Sequence, residues 1–338
     1  MKPTTRASFL EGFEAFAAAR GADYDALLAS AGLTRADLSD PANEIDFNAA
    51  TQVLNAAATA TGDPCLGLHW AENYPKHATG VLSYLLLNAK SVRHAVKTLA
   101  RYVSLHLEPI EVSFEEADGI GHLVWRYPLS FNVPRIQAAS FLMALLIIRL
   151  RNHAGANWMP MGVELEHREL QHRDEWLRIL GPNVSFDQPC NALRIRASVL
   201  DRSSSDSDNR LFELIRDLGD RMLAERKAAA DIVQRTRKAI VDQLDDGDAT
   251  LDEVAAAMEM SPRTLQTQLA NAQTNFETVL HETRQNLAEI YLRDTDLPLT
   301  EIAFLLGFSE LSAFTRAANR WFGVPPRLHR AELRRDPG

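Results

Sequence analysis

Ten histidines and two cysteines are the residues of this 338-residue chain best suited to hold a metal or attack a substrate, and their spacing supports neither. Even His167 and His172 stand five apart, which is neither the HExxH arrangement nor a good same-face pair on a helix. Cys65 and Cys190 form no CxxC pair, and no glycine-rich phosphate loop or Gly-x-Ser-x-Gly elbow occurs. No catalytic residue, metal ligand or cofactor is assigned, and the chain is read as not an enzyme. The spacing does support recognition by paired helices. Two stretches about 48 residues apart resemble each other: LDEVAAAMEMSPRTLQTQL from Leu251 and LTEIAFLLGFSELSAFTRA from Leu299. Each opens on a threonine in N-cap position, Thr250 or Thr300, and Thr250 with Glu253 makes a capping box. Each then carries a small inner residue, Ala255 or Ala303, that lets two short helices cross steeply. A serine after the turn, Ser261 or Ser309, caps a second helix, with Pro262 suited to the first helical position. The plainer alternative is two helical hairpins in an all-α domain.

The preceding two hundred residues mix helix and strand signals. Phe9, Phe13 and Phe16 fall on one helical face closed by Gly21, and a second helix follows Asp23 and ends near Gly32. Asp46 to Ala60 reads as helix; Asp63-Pro64 supplies an N-cap and a first-position proline for the next, and Ser91 starts another with Val92, Val96, Leu99 and Val103 inward. Ile110, Val112 and Phe114, then Leu123, Trp125 and Tyr127, alternate with polar neighbours around an Asp118-Gly119 turn, the pattern of a β-hairpin. A long apolar helix from about Arg135 to Arg151 precedes short strands at Val163–Glu166, Val184–Phe186 and Ala192–Ile195. The fold expected is an α+β N-terminal domain with a small antiparallel sheet, sandwich-like in one form, and an all-α C-terminal domain with two helix-turn-helix units. Trp70, Tyr74, Tyr84, Trp125 and Phe141 could line a pocket, but core packing is the favoured reading.

The polar run Asp201 to Asp208 marks a surface connection. The helix after it carries Leu211, Leu214, Ile215, Leu218 and Met222 on one stripe, either packed on its own domain or meeting the same helix of a second subunit, so a homodimer stays open. Glu225 to Asp231 is expected to connect onward. The division is a first domain over 1–200, a linker and candidate dimerisation helix over 201–230, and a second domain over 231–338; the resemblance below implies a regulatory, effector-binding role for the first and a DNA-binding role for the second. No stretch is apolar for long enough to span a membrane, and Met1 to Ala7 lacks a signal-peptide core; with two unpaired cysteines this points to the cytoplasm.

From about Thr250 to Leu333 the chain resembles the DNA-binding domain of the AraC/XylS family of transcription regulators. The likeness is carried by Tyr291-Leu292-Arg293-Asp294, by Leu299 through Ser309, by Ala313-Phe314-Thr315-Arg316, by Trp321-Phe322-Gly323-Val324 and by Pro326. The N-terminal region looks like the arabinose-binding-type regulatory domain of one branch, through Gly67-Leu68, Gly80-Val81-Leu82, Ala100-Arg101-Tyr102, Phe186-Asp187-Gln188-Pro189 and Asn191-Ala192-Leu193. The resemblance implies double-stranded DNA as partner, with two recognition helices joined by a long helix of about Asn275 to Asp294 entering successive major-groove segments. The groove-facing residues it implies are Leu311, Ser312, Arg316, Asn319 and Arg320 in the second unit and Arg263, Gln266 and Thr267 in the first, with Phe314, Ala318, Trp321, Leu265 and Leu269 inward. Arginine reads guanine and glutamine reads adenine through bidentate hydrogen bonds. It further implies an activator that contacts RNA polymerase and responds to a small-molecule effector of unstated identity.

The sequence departs from the family where DNA affinity is at stake. Glu259 stands at a turn position usually held by glycine, Gln273 replaces another glycine, and Thr267 and Gln268 stand where arginines are common. In the second unit Ala318 and Asn319 replace an aromatic and a basic residue, while Gly307 keeps its turn. The whole chain carries a net charge of −9, and from Asp231 onward 12 Arg and Lys face 17 Asp and Glu, many of the acids within Asp242–Asp248. Nucleic-acid footprints are normally basic, so weak binding with a shallow salt dependence is expected, led by the second unit. The competing reading is an AraC-like protein with weakened DNA contacts acting through protein–protein interaction.

Overall fold

The computed structural model describes residues 3–108, 110–127, 133–169, 171–203, 207–244 and 249–333. The runs 201–208 and 242–248 therefore lie partly outside the described residues. The chain divides into two compact units, Met1–Leu223 and Ala224–Gly338.

The first unit is α+β. Strand β1 (Thr4–Arg6) lies between β2 (Glu44–Asp46) and β3 (Leu107–Glu108) in an antiparallel three-stranded sheet, Thr5 facing Ile45 on one side and Leu107 on the other. Around it run α1 (Phe13–Ala18), α2 (Tyr24–Ser30), α3 (Phe47–Thr61), α4 (Leu66–Asn73), α5 (Val81–Leu87) and α6 (Val92–Tyr102). Local chemistry sets several starts: Asp23, Asp46 and Ser91 each accept a backbone N–H of the first turn of α2, α3 and α6. Two expectations need correction. Phe9 lies in a separate 3-10 turn, Ala7–Leu10, because Gly12 takes a left-handed conformation (φ 80°) before α1; Phe9, Phe13 and Phe16 are nevertheless all buried. Asp63 does not cap α4 directly. Its carboxylate accepts the Cys65 N–H (3.0 Å) in the turn before the helix, which begins at Leu66.

A second, five-stranded sheet follows. It contains the hairpin β4 (Glu111–Ala117) and β5 (Ile120–Arg126), then β6 (Gly162–Glu164), β7 (Val184–Ser185) and β8 (Asn191–Arg196), in the order β4-β5-β8-β6-β7. Val112 pairs with Trp125 and Phe114 with Leu123, as the alternation demands, across a two-residue turn in which Asp118 and Gly119 both have positive φ. Only β6 and β7 run parallel among the described pairs. Rather than a sandwich partner, helices pack on this sheet: α6, α7 (Ile136–Ala154), α8 (Arg173–Leu180) and α9 (Ala197–Leu200) each touch its strands.

The tightest helix crossing joins α4 to α7. A Cβ at Gly67 would lie 2.2 Å from the Gln137 carbonyl oxygen, so only glycine lets the backbones meet. Gln137 fixes the crossing: its side-chain carbonyl accepts the Gly67 N–H (2.7 Å) and its amide donates to the Pro64 carbonyl (3.0 Å). Phe13, Phe16, Trp70, Tyr74 and Phe141 cluster edge-to-face and tilted nearby.

Helix α10 (Asn209–Leu244) is continuous, so the connecting segment Glu225 to Asp231 is itself helical; with Ala228, Ala229 and Ala230 beside Glu225, Arg226 and Lys227, that segment holds no glycine or proline. The apolar stripe at its start divides. Phe212 is buried and Ile215 and Met222 pack against the core of the first unit, whereas Leu211, Leu214 (70% exposed) and Leu218 face outward. Docking is completed by Gly219 against the Tyr102 ring and by Asp220, which accepts from Tyr102 Oη (2.5 Å) and Arg101 (2.8 Å).

The second unit is all-α beyond α10: α11 (Leu251–Ala257), α12 (Pro262–Asn271), α13 (Phe276–Asp294), α14 (Leu299–Leu305), α15 (Leu311–Phe322) and α16 (Pro326–Leu333). It holds two small cores. Ile240, Val254, Ala255, Leu265, Leu269 and Val279 form one, and Leu292, Ile302, Ala303, Leu306, Phe314 and Ala318 form the other. Helix α13 contributes to both, and Leu287 on it packs against each.

Candidate nucleic-acid interface

Two helix-turn-helix units frame α13. In the first, Thr250 caps α11: its hydroxyl accepts the Glu253 N–H (3.3 Å), and the Glu253 carboxylate accepts the Thr250 N–H (3.1 Å) and hydroxyl (2.7 Å). These bonds hold the Glu253 carboxyl below the usual carboxylate range, the hydroxyl contributing most. Ala255 and Ala303, both fully buried, bring α11 and α14 close to their partners α12 and α15.

The turns share one construction. Glu259 (φ 58°) and Gly307 (φ 71°) are both left-handed. Met260 N–H returns to the Ala255 carbonyl (3.0 Å) and Phe308 N–H to the Ala303 carbonyl (2.9 Å). Gln273, at the other position where a glycine was expected, is left-handed as well (φ 56°), and Thr274 N–H after it returns to Leu269 (3.0 Å). The chain keeps the backbone path without the residue that adopts it at least cost, at roughly 1 kcal/mol per site.

The caps of the two units differ. Ser261 caps α12, accepting Thr264 N–H (3.1 Å), with Pro262 at the first position. The corresponding expectations for the second unit need correction. Thr300 lies inside α14, whose N-cap is Pro298, with Ile302 N–H bonded to its carbonyl (3.0 Å). Ser309 makes no cap either; Glu310 holds that place before α15, and its carboxylate accepts the Ser312 hydroxyl (2.9 Å). Proline at 298 presets the approach to the first turn, and the turn after Gly307 runs one residue longer than its counterpart.

The outer faces of α12 and α15 carry the residues expected there. Arg263, Gln266 and Thr267 are exposed on α12, over buried Leu265 and Leu269; Leu311, Ser312, Arg316, Asn319 and Arg320 are exposed on α15, over buried Phe314 and Ala318. Thr267 spends its hydroxyl on the Arg263 carbonyl of its own helix (2.8 Å). Trp321 is half-buried, and its indole N–H donates to His281 Nε2 on α13 (2.6 Å), so its role is packing.

Charge on this surface is sparse. The described part from Ala249 to Leu333 holds seven arginines and no lysine. Three are engaged: Arg284 with the Gly307 carbonyl (3.3 Å), Arg293 with Asp294 (2.9 Å) and Arg330 with the Leu297 carbonyl (2.7 Å). Arg263, Arg316, Arg320 and Arg327 are exposed and make no hydrogen bond or ion pair among the described residues. Arg327 was missed in the sequence; its signal is its place directly after Pro325-Pro326, at the start of α16. An unpaired exposed guanidinium has its five donors available to a phosphate or a guanine edge without first breaking an internal bond.

In the first unit, Trp70, Tyr74 and Phe141 are core, as favoured from the sequence; Tyr84 is exposed, and Trp125 is buried beside a cavity. Among the described residues no helix is long and apolar enough to cross a membrane.

Comparison with known proteins agrees with this architecture. The family described as arabinose-binding domain of AraC transcription regulator, N-term, matches residues 21–204, and a helix-turn-helix domain family matches residues 254–332. The ornithine utilization regulator of Pseudomonas aeruginosa is 26% identical over 310 residues, covering 92% of this chain and 91% of that one. The transcriptional regulator VirS of Mycobacterium tuberculosis is 25% identical over 301 residues, 83% of this chain and 82% of that one. The transcriptional activator NphR of a Rhodococcus species is 36% identical over 111 residues, 31% of this chain and 33% of that one. With an arabinose-binding-type domain over more than half its length and paired helix-turn-helix units after it, the chain belongs to the AraC family of DNA-binding transcription regulators.

Proposed function

We propose that α12 and α15 read double-stranded DNA from the major groove, that α15 contributes most of the sequence discrimination, and that a small-molecule effector held by the first unit changes the outcome at the promoter. The observation that carries the first part is the set of unpaired arginines on these faces, with Arg316 at the centre of the exposed side of α15. Arg316 and Gln266 are the base-reading residues; Arg263, Arg320 and Arg327 meet phosphates; Ser312, Asn319, Thr267 and the Leu311 methyl groups complete the contact. The output is activation, with RNA polymerase as the partner contacted; three relatives being named activators supports the first of these.

The test is footprinting of the full-length protein on DNA upstream of its own and adjacent genes, beside Arg316→Ala. The substitution removes a side chain with no internal partner, so the fold persists, and site-specific protection is expected to be lost. Unchanged protection and regulation by Arg316→Ala would place the recognition surface elsewhere. A folded wild-type protein that protects no site, even with candidate metabolites present, would favour the protein-interaction reading, for which the acidic balance and Glu259 speak.

A further inference from the structure

The first unit holds a cavity of about 90 Å³, open to solvent on one side, between α5, α6, α7 and the β4–β5 hairpin. Its walls are almost wholly aliphatic. Leu142, Leu145 and Leu146 follow one face of α7 at helical spacing, and Leu86 and Leu99 approach from α5 and α6. Leu86, Leu99, Leu142 and Leu145 remain only half-buried although they pack against the main core, because the space they face is unfilled. Apolar surface left in this state gains by covering, at roughly 25 cal/mol per Å².

Arg149, His106 and a pair of hydroxyls break the aliphatic lining. Arg149 continues the same face of α7, one turn beyond Leu145. Its guanidinium is partly buried, and its one hydrogen bond among the described residues runs to the Pro75 carbonyl (2.8 Å), with no carboxylate at ion-pair distance. Burial pulls its pKa below the ordinary arginine value. The hydroxyls of Thr79 and Ser83, hydrogen-bonded to each other, line the same cavity. His106 is 9% exposed, and its Nε2 is buried with no hydrogen-bond partner. Desolvation, with the charge of Arg6, lowers its pKa to about 4, so the ring is neutral near pH 7 and can donate or accept. A partly desolvated cation without a counter-ion and an orphaned buried nitrogen are costs that a complementary ligand relieves.

We infer that this cavity binds a small monocarboxylate with an aliphatic or aromatic body, its carboxylate paired with Arg149, its apolar part among the leucines of α5, α6 and α7, and a second polar atom, where present, on His106. This deepens the effector reading above, on which only its regulatory meaning rests; binding itself requires no DNA. Arg149 selects for charge through bidentate pairing, and the leucines select for apolar bulk.

The experiment is calorimetric titration of the full-length protein with octanoate and 3-phenylpropionate, beside 1-octanol and octanamide as neutral counterparts. Saturable binding of one carboxylate per chain is expected for at least one acid, at least tenfold tighter than its neutral counterpart. Arg149→Gln is expected to lose that preference and Arg149→Lys to retain part of it, with thermal melts confirming that both variants fold. Leu145→Trp, which fills the cavity without touching the charge, is expected to abolish binding of all four. Equal affinity for octanoate and octanol, indifference to Arg149→Gln in a folded variant, or no saturable binding of either acid would each overturn the proposal. The DNA-binding reading survives all three results, and its own failure leaves the titration unaffected.

Discussion

The unpaired arginines give a quantitative expectation for the salt dependence of DNA binding. Each side chain that neutralises a phosphate releases condensed counter-ions, and the logarithm of the binding constant falls by about 0.9 per contact for each decade of salt. Four such side chains per chain set a slope of about −3.6, so affinity drops about 150-fold between 50 and 200 mM salt. With Arg316 on a base edge instead, three phosphate contacts remain, the slope is about −2.7 and the drop about 40-fold. Arg334 and Arg335 lie outside the described residues; both contributing would bring the slope to about −5.4. Fluorescence anisotropy of the full-length protein on a labelled operator, with stoichiometry from the same titration, reads the slope per bound chain. Arg320→Ala and Arg327→Ala should each flatten it by about 0.9, uniformly over specific and random DNA. Arg316→Ala should leave it almost unchanged while costing about 1–3 kcal/mol on the specific site alone. A slope steeper than about −6 would require basic residues beyond these six to reach DNA, and would refute the count. A slope near zero would mean that the unpaired arginines do not meet phosphate at all.

Two further outcomes follow from the first unit. Gly67→Ala should destabilise it by about 3 kcal/mol, because overpacking against the Gln137 backbone and the loss of a buried hydrogen bond outweigh the roughly 1 kcal/mol gained in helix propensity. A melting temperature lowered by about 6–12 °C is expected, and an unchanged or raised one would show that α4 and α7 separate freely. As for pH, the folded protein resists protonating His106 until about pH 4, while the unfolded chain takes up that proton near 6.5. Stability from this group is therefore intact above pH 6.5 and lost as pH falls from 6.5 towards 4, with His153 and His167, also lowered by burial, acting in the same direction. Urea midpoints at pH 7 and 5 should differ less in His106→Asn than in the parent, and equal differences would refute the assignment.

Much of the candidate surface was legible because a short helix announces its ends. Thr250, Ser261 and Asn275 cap where their side chains allow, and Leu265, Leu269, Phe314 and Ala318 fall inward by helical spacing alone. The same logic failed at Thr300 and Ser309, where aligning the two units residue by residue hid a proline and a one-residue shift in the second. Gly12 was overlooked because three phenylalanines at helical spacing conceal a left-handed break between them. Glu225 to Asp231 was expected to connect the domains, and the division between the two compact units at Leu223 and Ala224 falls beside it; that the connection is helical was not read, because helix-forming residues carry no stop signal. The cavity could not be seen in the sequence. Half-buried leucines have the same pattern as buried ones, and Arg149 reads as the flanking charge of an apolar helix until its missing counter-ion is visible.

Helix α13 serves both small cores of the second unit, so its length acts as a phase setting. Its 19 residues span about 28 Å, close to one turn of the double helix, and each added residue turns everything beyond it by about 100° while advancing it only about 1.5 Å. One insertion between Leu280 and Leu287 would take Leu287 away from the first core while leaving Val279 and Leu280 there, and would turn α15 to another side of the helix axis from α12. If α12 and α15 read DNA as proposed, they would then be out of step with a groove that only one of them could follow.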